Sequence, residues 1–118
     1  MRTWLILAAA LLLSACSSSP ETVAAKFGDA GAKGHVAEAM ELLDPQVRQT
    51  FGAKLPLAIE QAQRKANARG GVKSVEAVKV SEEGDYATVT VTTYYNDGTS
   101  GNGTTRLRRV DGKWYISM

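Results

Sequence analysis

Chemistry in a small protein begins with a nucleophile, base or metal ligand that a second group orients. This chain has one cysteine, Cys16, and one histidine, His35. His35 follows Gly34 where a helix is expected to begin, so it is expected to be exposed and without the partner a general base needs. Asp85, Asp97 and Asp111 fall in turn-forming stretches, where aspartate bonds the local backbone. Asp44, just before Pro45, reads as a helix cap. Glu76 is the one acid inside an expected strand, and a solvated strand position is the expectation for it. One histidine, one cysteine and no acidic loop of calcium-binding spacing predict no metal site. Gly101-Asn102-Gly103 lacks the downstream glycine and the following helix of a phosphate-cradling loop. These residues predict no catalytic pair, no metal and no cofactor.

Cys16 has another chemistry available. It ends the run Leu13-Ser14-Ala15-Cys16, which closes an apolar stretch over residues 5–13 behind the single positive charge of Arg2. That stretch is far shorter than the ~20 apolar residues of a membrane-spanning helix and fits an export signal. Leu13, Ser14, Ala15 and Cys16 match at all four positions the signal of bacterial lipoproteins, which this segment resembles. The resemblance implies cleavage before Cys16, a diacylglycerol on its sulfur and a further acyl chain on its new amine. Each buried methylene contributes ~0.8 kcal/mol, and two chains anchor stably where one is marginal. The lipid would then consume the thiol. Residues 1–15 are thus expected to be removed, residues 16–19 to form the lipidated cysteine and a short tether, and residues 20–118 to form one domain. Ser17-Ser18-Ser19 reaches at most ~10 Å, which keeps the domain close to the headgroups. Ser17, in place of an aspartate, resembles the lipoproteins held on the periplasmic side of the outer membrane where a cell has two membranes.

The whole chain carries a formal net charge of +2. Loss of Arg2 leaves the remainder nearly neutral, which gives no basis for nucleic-acid binding. About 100 residues suffice for a single core without disulfides.

The elements that would hold these residues follow from caps and periodicity. Ser19-Pro20-Glu21 starts a helix with the apolar stripe Val23, Phe27 and Ala30. Gly28 and Gly31 weaken that helix, and close approach to a sheet is the expected reason for both. Gly34 stops it. Val36, Ala39, Met40 and Leu43 mark a second helix. A third begins at Asp44-Pro45 and carries the stripe Val47, Phe51, Leu55, Ile59, Ala62 and Ala66, with a break or kink over residues 53–56. Strands are expected over residues 74–81, 86–95, 104–110 and 113–117, with a turn over 82–85 and a glycine-rich loop over 96–103. Asp111-Gly112 signals a two-residue hairpin turn, which pairs Val110 with Lys113, Arg109 with Trp114, Arg108 with Tyr115 and Leu107 with Ile116. Leu107, Trp114 and Ile116 then face the core, and Arg109 can lie over the Trp114 ring. The fold class is α+β, with N-terminal helices packed on one face of a curved four-stranded antiparallel sheet.

The sheet face away from the helices is expected to carry Thr88, Thr90, Thr92, Tyr94, Arg106, Arg108 and Tyr115. Tyrosine and arginine are enriched where proteins meet, so these seven form a candidate contact face for an envelope protein or a second copy of the chain. Its two arginines would favour an acidic partner.

Ser19-Pro20-Glu21-Thr22-Val23-Ala24, Leu42-Leu43-Asp44-Pro45, Gly70-Gly71-Val72-Lys73-Ser74-Val75, Ala87-Thr88-Val89-Thr90-Val91 and Asp111-Gly112-Lys113-Trp114-Tyr115-Ile116 follow one another along residues 19–117. In that order they resemble small bacterial lipoproteins of unknown function with a nuclear-transport-factor-like fold. The family's usual Gly-Asp at the first interhelical turn is Gly34-His35 here. The resemblance implies a cone-shaped α+β domain of the cystatin-like kind. The superfamily spans isomerases, dehydratases and non-enzymatic binding modules, so fold alone assigns no activity. Without a catalytic pair, the expectation is a membrane-anchored, non-catalytic binding domain. The alternatives are a carrier with an apolar pocket between helices and sheet, and an isomerase- or dehydratase-like enzyme.

Overall fold

The computed structural model describes residues 19–118. Residues 1–18, where the export signal, the motif ending at Cys16 and Ser17-Ser18 are expected, lie outside the described residues. Helix α1 (Pro20–Lys33) starts where expected: Ser19 Oγ accepts from the Thr22 amide at 3.2 Å and Pro20 holds the first turn. Gly34 ends it at φ 78°, and the His35 amide donates back to Ala30 O at 2.8 Å. Helix α2 (Val36–Glu41) is short. Helix α3 (Pro45–Phe51) is capped by Asp44, whose Oδ1 accepts from the Gln46 amide at 2.9 Å. The expected break or kink is a full break. A 3₁₀ turn (Gly52–Lys54) separates α3 from α4 (Leu55–Ala68), and Pro56 lies in the first turn of α4, where its missing N–H leaves no gap.

Four strands follow: β1 (Val72–Glu83), β2 (Tyr86–Tyr95), β3 (Ser100–Val110) and β4 (Lys113–Ile116). They pair antiparallel in the order β1-β2-β3-β4. The final hairpin has the register its turn dictates, from Val110 opposite Lys113 to Leu107 opposite Ile116. Asp111 at φ 51° and Gly112 at φ 78° make that turn. Four strand boundaries differ from expectation, the smallest being the end of β4 at Ile116 instead of Ser117. β1 runs past both expected ends, with a bulge between Lys79 and Ser81. Glu82 and Glu83 belong to it, so the turn is only Gly84 and Asp85. The glycine-rich stretch is not a loop: β3 begins at Ser100 and pairs without a break from Tyr94–Ser100 to Tyr86–Arg108. The ladder from β2 overrides the poor strand propensity of Gly101 and Gly103.

The outer edge of β4 is covered. Leu43 bridges Ile116 in parallel, the Ile116 amide donates to Leu42 O at 2.8 Å, and the Asp44 amide donates to Ile116 O at 2.9 Å. The link between α2 and α3 thus serves as a fifth edge segment. The helices pack on the inner sheet face, with Val23, Leu43, Ile59, Val89, Leu107 and Ile116 at the centre of the core. Gly28 is where α1 meets the sheet: a Cβ there would lie 3.3 Å from Val91 Cγ1 and 3.5 Å from Val75 Cγ1. Gly31 is different, because nothing lies within 4 Å of the corresponding point. Close approach therefore explains Gly28 and not Gly31.

Candidate functional site

Gly31 opens onto the main concave feature of the helix-covered side. Small residues face each other there: Gly28, Gly31 and Ala32 from α1, Ala58 and Ala62 from α4. Helices lined this way cannot fill the space between them, and a groove of about 310 Å³ remains above the end of β2. Leu55 and Ile59, each 4% exposed, form its floor with Phe27 and Tyr95. An adjoining hollow of about 170 Å³ shares Leu55, Ala58 and Met118 with it and adds Leu43, Phe51 and Lys54. Phe51 and Ala62 were expected on a buried stripe. Both are exposed, because Ala62 faces the groove and Phe51 the adjoining hollow, where no other element covers them. Tyr95 is held in place by Arg69, whose guanidinium carbon lies 5.2 Å from the ring centroid. At one end Lys65, Thr93 and Tyr95 also border a polar shelf formed by residues 101–105 of β3.

The opposite sheet face carries all seven residues of the candidate contact face. The β2–β3 register sets Thr88 opposite Arg106 and Tyr86 opposite Arg108, and Tyr115 stands beside Arg108. Tyr94 and Arg106 are exposed; Thr88, Thr90, Thr92, Arg108 and Tyr115 are half-buried. The face extends further than expected, to Tyr86 and to Val78, which pairs with Thr90. The alternation of β2 starts at Tyr86 and could have identified it.

One expectation for this face is corrected. Arg108 is not a free cation. Its Nη2 donates to Asp44 Oδ1 at 3.0 Å, and its Nε lies 2.6 Å from Oδ2 as a charge contact. The Asp44 hydrogen bond, with its charge, raises the Arg108 pKa against the cost of desolvation. Asp44 is 2% exposed, so it is a cap and a buried ion-pair partner together. Of the two arginines, only Arg106 is without an ion pair among the described residues, and it shares its hollow with Glu83.

The remaining titratable groups are dispersed. His35 is exposed and its side chain does not cap α2, but it has a neighbour that was not expected: Nδ1 lies 3.5 Å from Glu38 Oε2, both side chains being more than half exposed. Glu76 is exposed. Asp97 accepts from the Thr99 amide at 2.9 Å and from Thr99 Oγ1 at 2.5 Å, and these bonds hold its carboxyl below the usual value. Asp85 pairs with Arg109 at 3.3 Å, and the Arg109 guanidinium stacks 5.0 Å from the Trp114 ring centroid. Among the described residues no three His, Cys, Asp or Glu side chains are grouped as metal ligands. No helix among them is long and apolar enough to cross a membrane.

The profile of DUF4878, a domain of unknown function, matches residues 14–117. The chain belongs to the DUF4878 family. This DUF4878 domain is similar in structure to a Campylobacter jejuni protein described as a candidate NTF2-like transpeptidase, with TM-score 0.77 and 21% identity. That match covers 86% of this chain and 99% of the other. It is also similar, at TM-score 0.58 and 21% identity, to a SEC-C motif containing protein from Rhodopseudomonas palustris, over 91% of this chain and 83% of that one. At such identity the likeness shows the fold, which is NTF2-like, and folds of this kind serve binding and catalysis alike. No curated protein matches the DUF4878 domain at a significant level.

Proposed function

We propose that this protein is a lipid-anchored, non-catalytic binding domain of the cell envelope, and that its binding element is the apolar groove between α1, α4 and the inner sheet face. The groove carries the reading. It is concave, pre-formed and mostly apolar with a few polar groups at one end, the usual make-up of a small-ligand site. What supports a non-catalytic role is its lining, which among the described residues includes no histidine, aspartate or glutamate. The test is uptake of a neutral apolar fluorophore such as N-phenyl-1-naphthylamine. The wild-type domain should brighten it with one saturable site, and Gly31→Leu, which fills the groove, should remove that signal while leaving the fold intact. Equal brightening by both proteins would refute the groove as binding element.

The anchor is tested separately. Cys16→Ser should block acylation and leave an unprocessed or unanchored exported form. A variant that still fractionates with membranes, when neither form takes an acyl label, would sink the lipoprotein reading. In a cell with two membranes the anchored form should cofractionate with the outer one.

A second reading places a protein partner or a second copy on the outer sheet face. It is supported by the exposed Tyr86 and Val78 beside the threonine rows. Arg106→Glu should change crosslinked partners or oligomeric size if that face is used, and no change in either would leave it as wetted surface.

A further inference from the structure

We infer that the groove takes a single-chain anionic amphiphile, a long-chain carboxylate, with its tail between α1, α4 and β2 and its head at Lys65. The inference rests on the groove being the binding element and goes on to name the occupant.

Shape limits the tail. The groove of about 310 Å³ lies near the lower bound of small-ligand sites, and the smaller hollow continues it past Leu55, Ala58 and Met118. A slender chain can follow that path, whereas a paired-chain lipid is too large for it. Gly31 supports the same conclusion from the backbone. A glycine inside a helix weakens it, and here no neighbour requires the missing side chain. What the position provides is the width of the groove.

Charge limits the head. Among the described residues, the only charged side chains lining the groove and its extension are Lys65 and Lys54. Neither has a side-chain carboxylate within 4 Å among the described residues. Lysine stems can line apolar surface while the ammonium stays at the rim. Lys65 borders both the apolar groove and the polar shelf, beside Thr93, which also faces both. A carboxylate there gains a cation and a hydroxyl donor while its chain stays in the groove. A neutral alcohol gains less, and a cationic amphiphile meets two like charges.

The test uses the full chain carrying Cys16→Ser, so that no attached acyl chain competes. Binding of dodecanoate, dodecanol and dodecyltrimethylammonium is measured by equilibrium dialysis below their micellar concentrations. Dodecanoate should bind at one site per chain, more tightly than dodecanol, with the ammonium weakest. Lys65→Glu should weaken dodecanoate by about fivefold or more and leave dodecanol unchanged, whereas Lys65→Arg should retain it. Gly31→Leu should abolish uptake of all three without lowering the melting temperature. If dodecanol binds as tightly as dodecanoate, or Lys65→Glu has no effect, the anionic head is wrong while the groove reading stands. If none binds, or Gly31→Leu leaves uptake unchanged, the groove reading itself fails and the inference with it.

Discussion

Asp44 should be worth more to this fold than any other single carboxylate. The side chain, 2% exposed, makes two separable contributions. Oδ1 accepts from the Gln46 amide at 2.9 Å and caps α3, a bond worth about 1 kcal/mol. The carboxylate also holds Arg108, with Nη2–Oδ1 at 3.0 Å and Nε–Oδ2 at 2.6 Å. A hydrogen bond to a charged group contributes about 1.5–3 kcal/mol. The Arg108 side chain is 27% exposed, so it can recover water when its partner is lost, which puts this contribution at the low end. Asp44→Ala should therefore cost about 2.5 kcal/mol, and Asp44→Asn, which keeps a capping oxygen, about 1.5 kcal/mol. The assay is urea unfolding of the full chain carrying Cys16→Ser, comparing midpoints at unchanged slope. Because the same backbone residue donates to Ile116 O and closes the edge of β4, hydrogen exchange at Ile116 should quicken with the loss. A cost below about 0.5 kcal/mol for both variants, the range of ordinary surface changes, would refute the assignment of Asp44 as a buried clamp.

Two helix glycines should respond with opposite sign. Gly31→Ala should stabilise by about 0.5–1 kcal/mol through helix propensity alone, whereas Gly28→Val should destabilise by about 1–3 kcal/mol as its branches press on Val91 and Val75; thermal unfolding reads both. Trp114→Ala should cost about 3–5 kcal/mol as a buried aromatic, and His35→Ala, exposed beside Glu38, less than about 0.5 kcal/mol. The Asp97 carboxyl is held below 3.8 by its bonds from Thr99. A depressed carboxylate lends stability that is fully present above 3.8 and is lost as pH falls through its lower folded value. The gap between wild type and Asp97→Ala should stay constant from neutrality down to mild acid and shrink below that point; a gap that widens in acid would contradict the sign.

What the sequence determined by itself lies within a few residues of its cause. Ser19, Gly34 and Asp44 bound their helices because each bonds backbone groups next to it in the chain. Asp111-Gly112 fixed the last register, and with it the Arg109–Trp114 contact, because a two-residue turn leaves only one pairing. The alternation of β2 assigned its inner and outer rows. Tertiary structure decided the rest. Arg108 was legible as an outward-facing residue, but its partner is 64 positions away, brought to the same face only when residues 42–44 close the edge of β4. Gly101 and Gly103 read as loop until β2 supplied a ladder. Phe51 and Ala62 read as core because periodicity reports which side of a helix is apolar and not whether anything meets it. The groove is the space left when two helices with small residues cross one sheet, and that space has no residue of its own in the sequence.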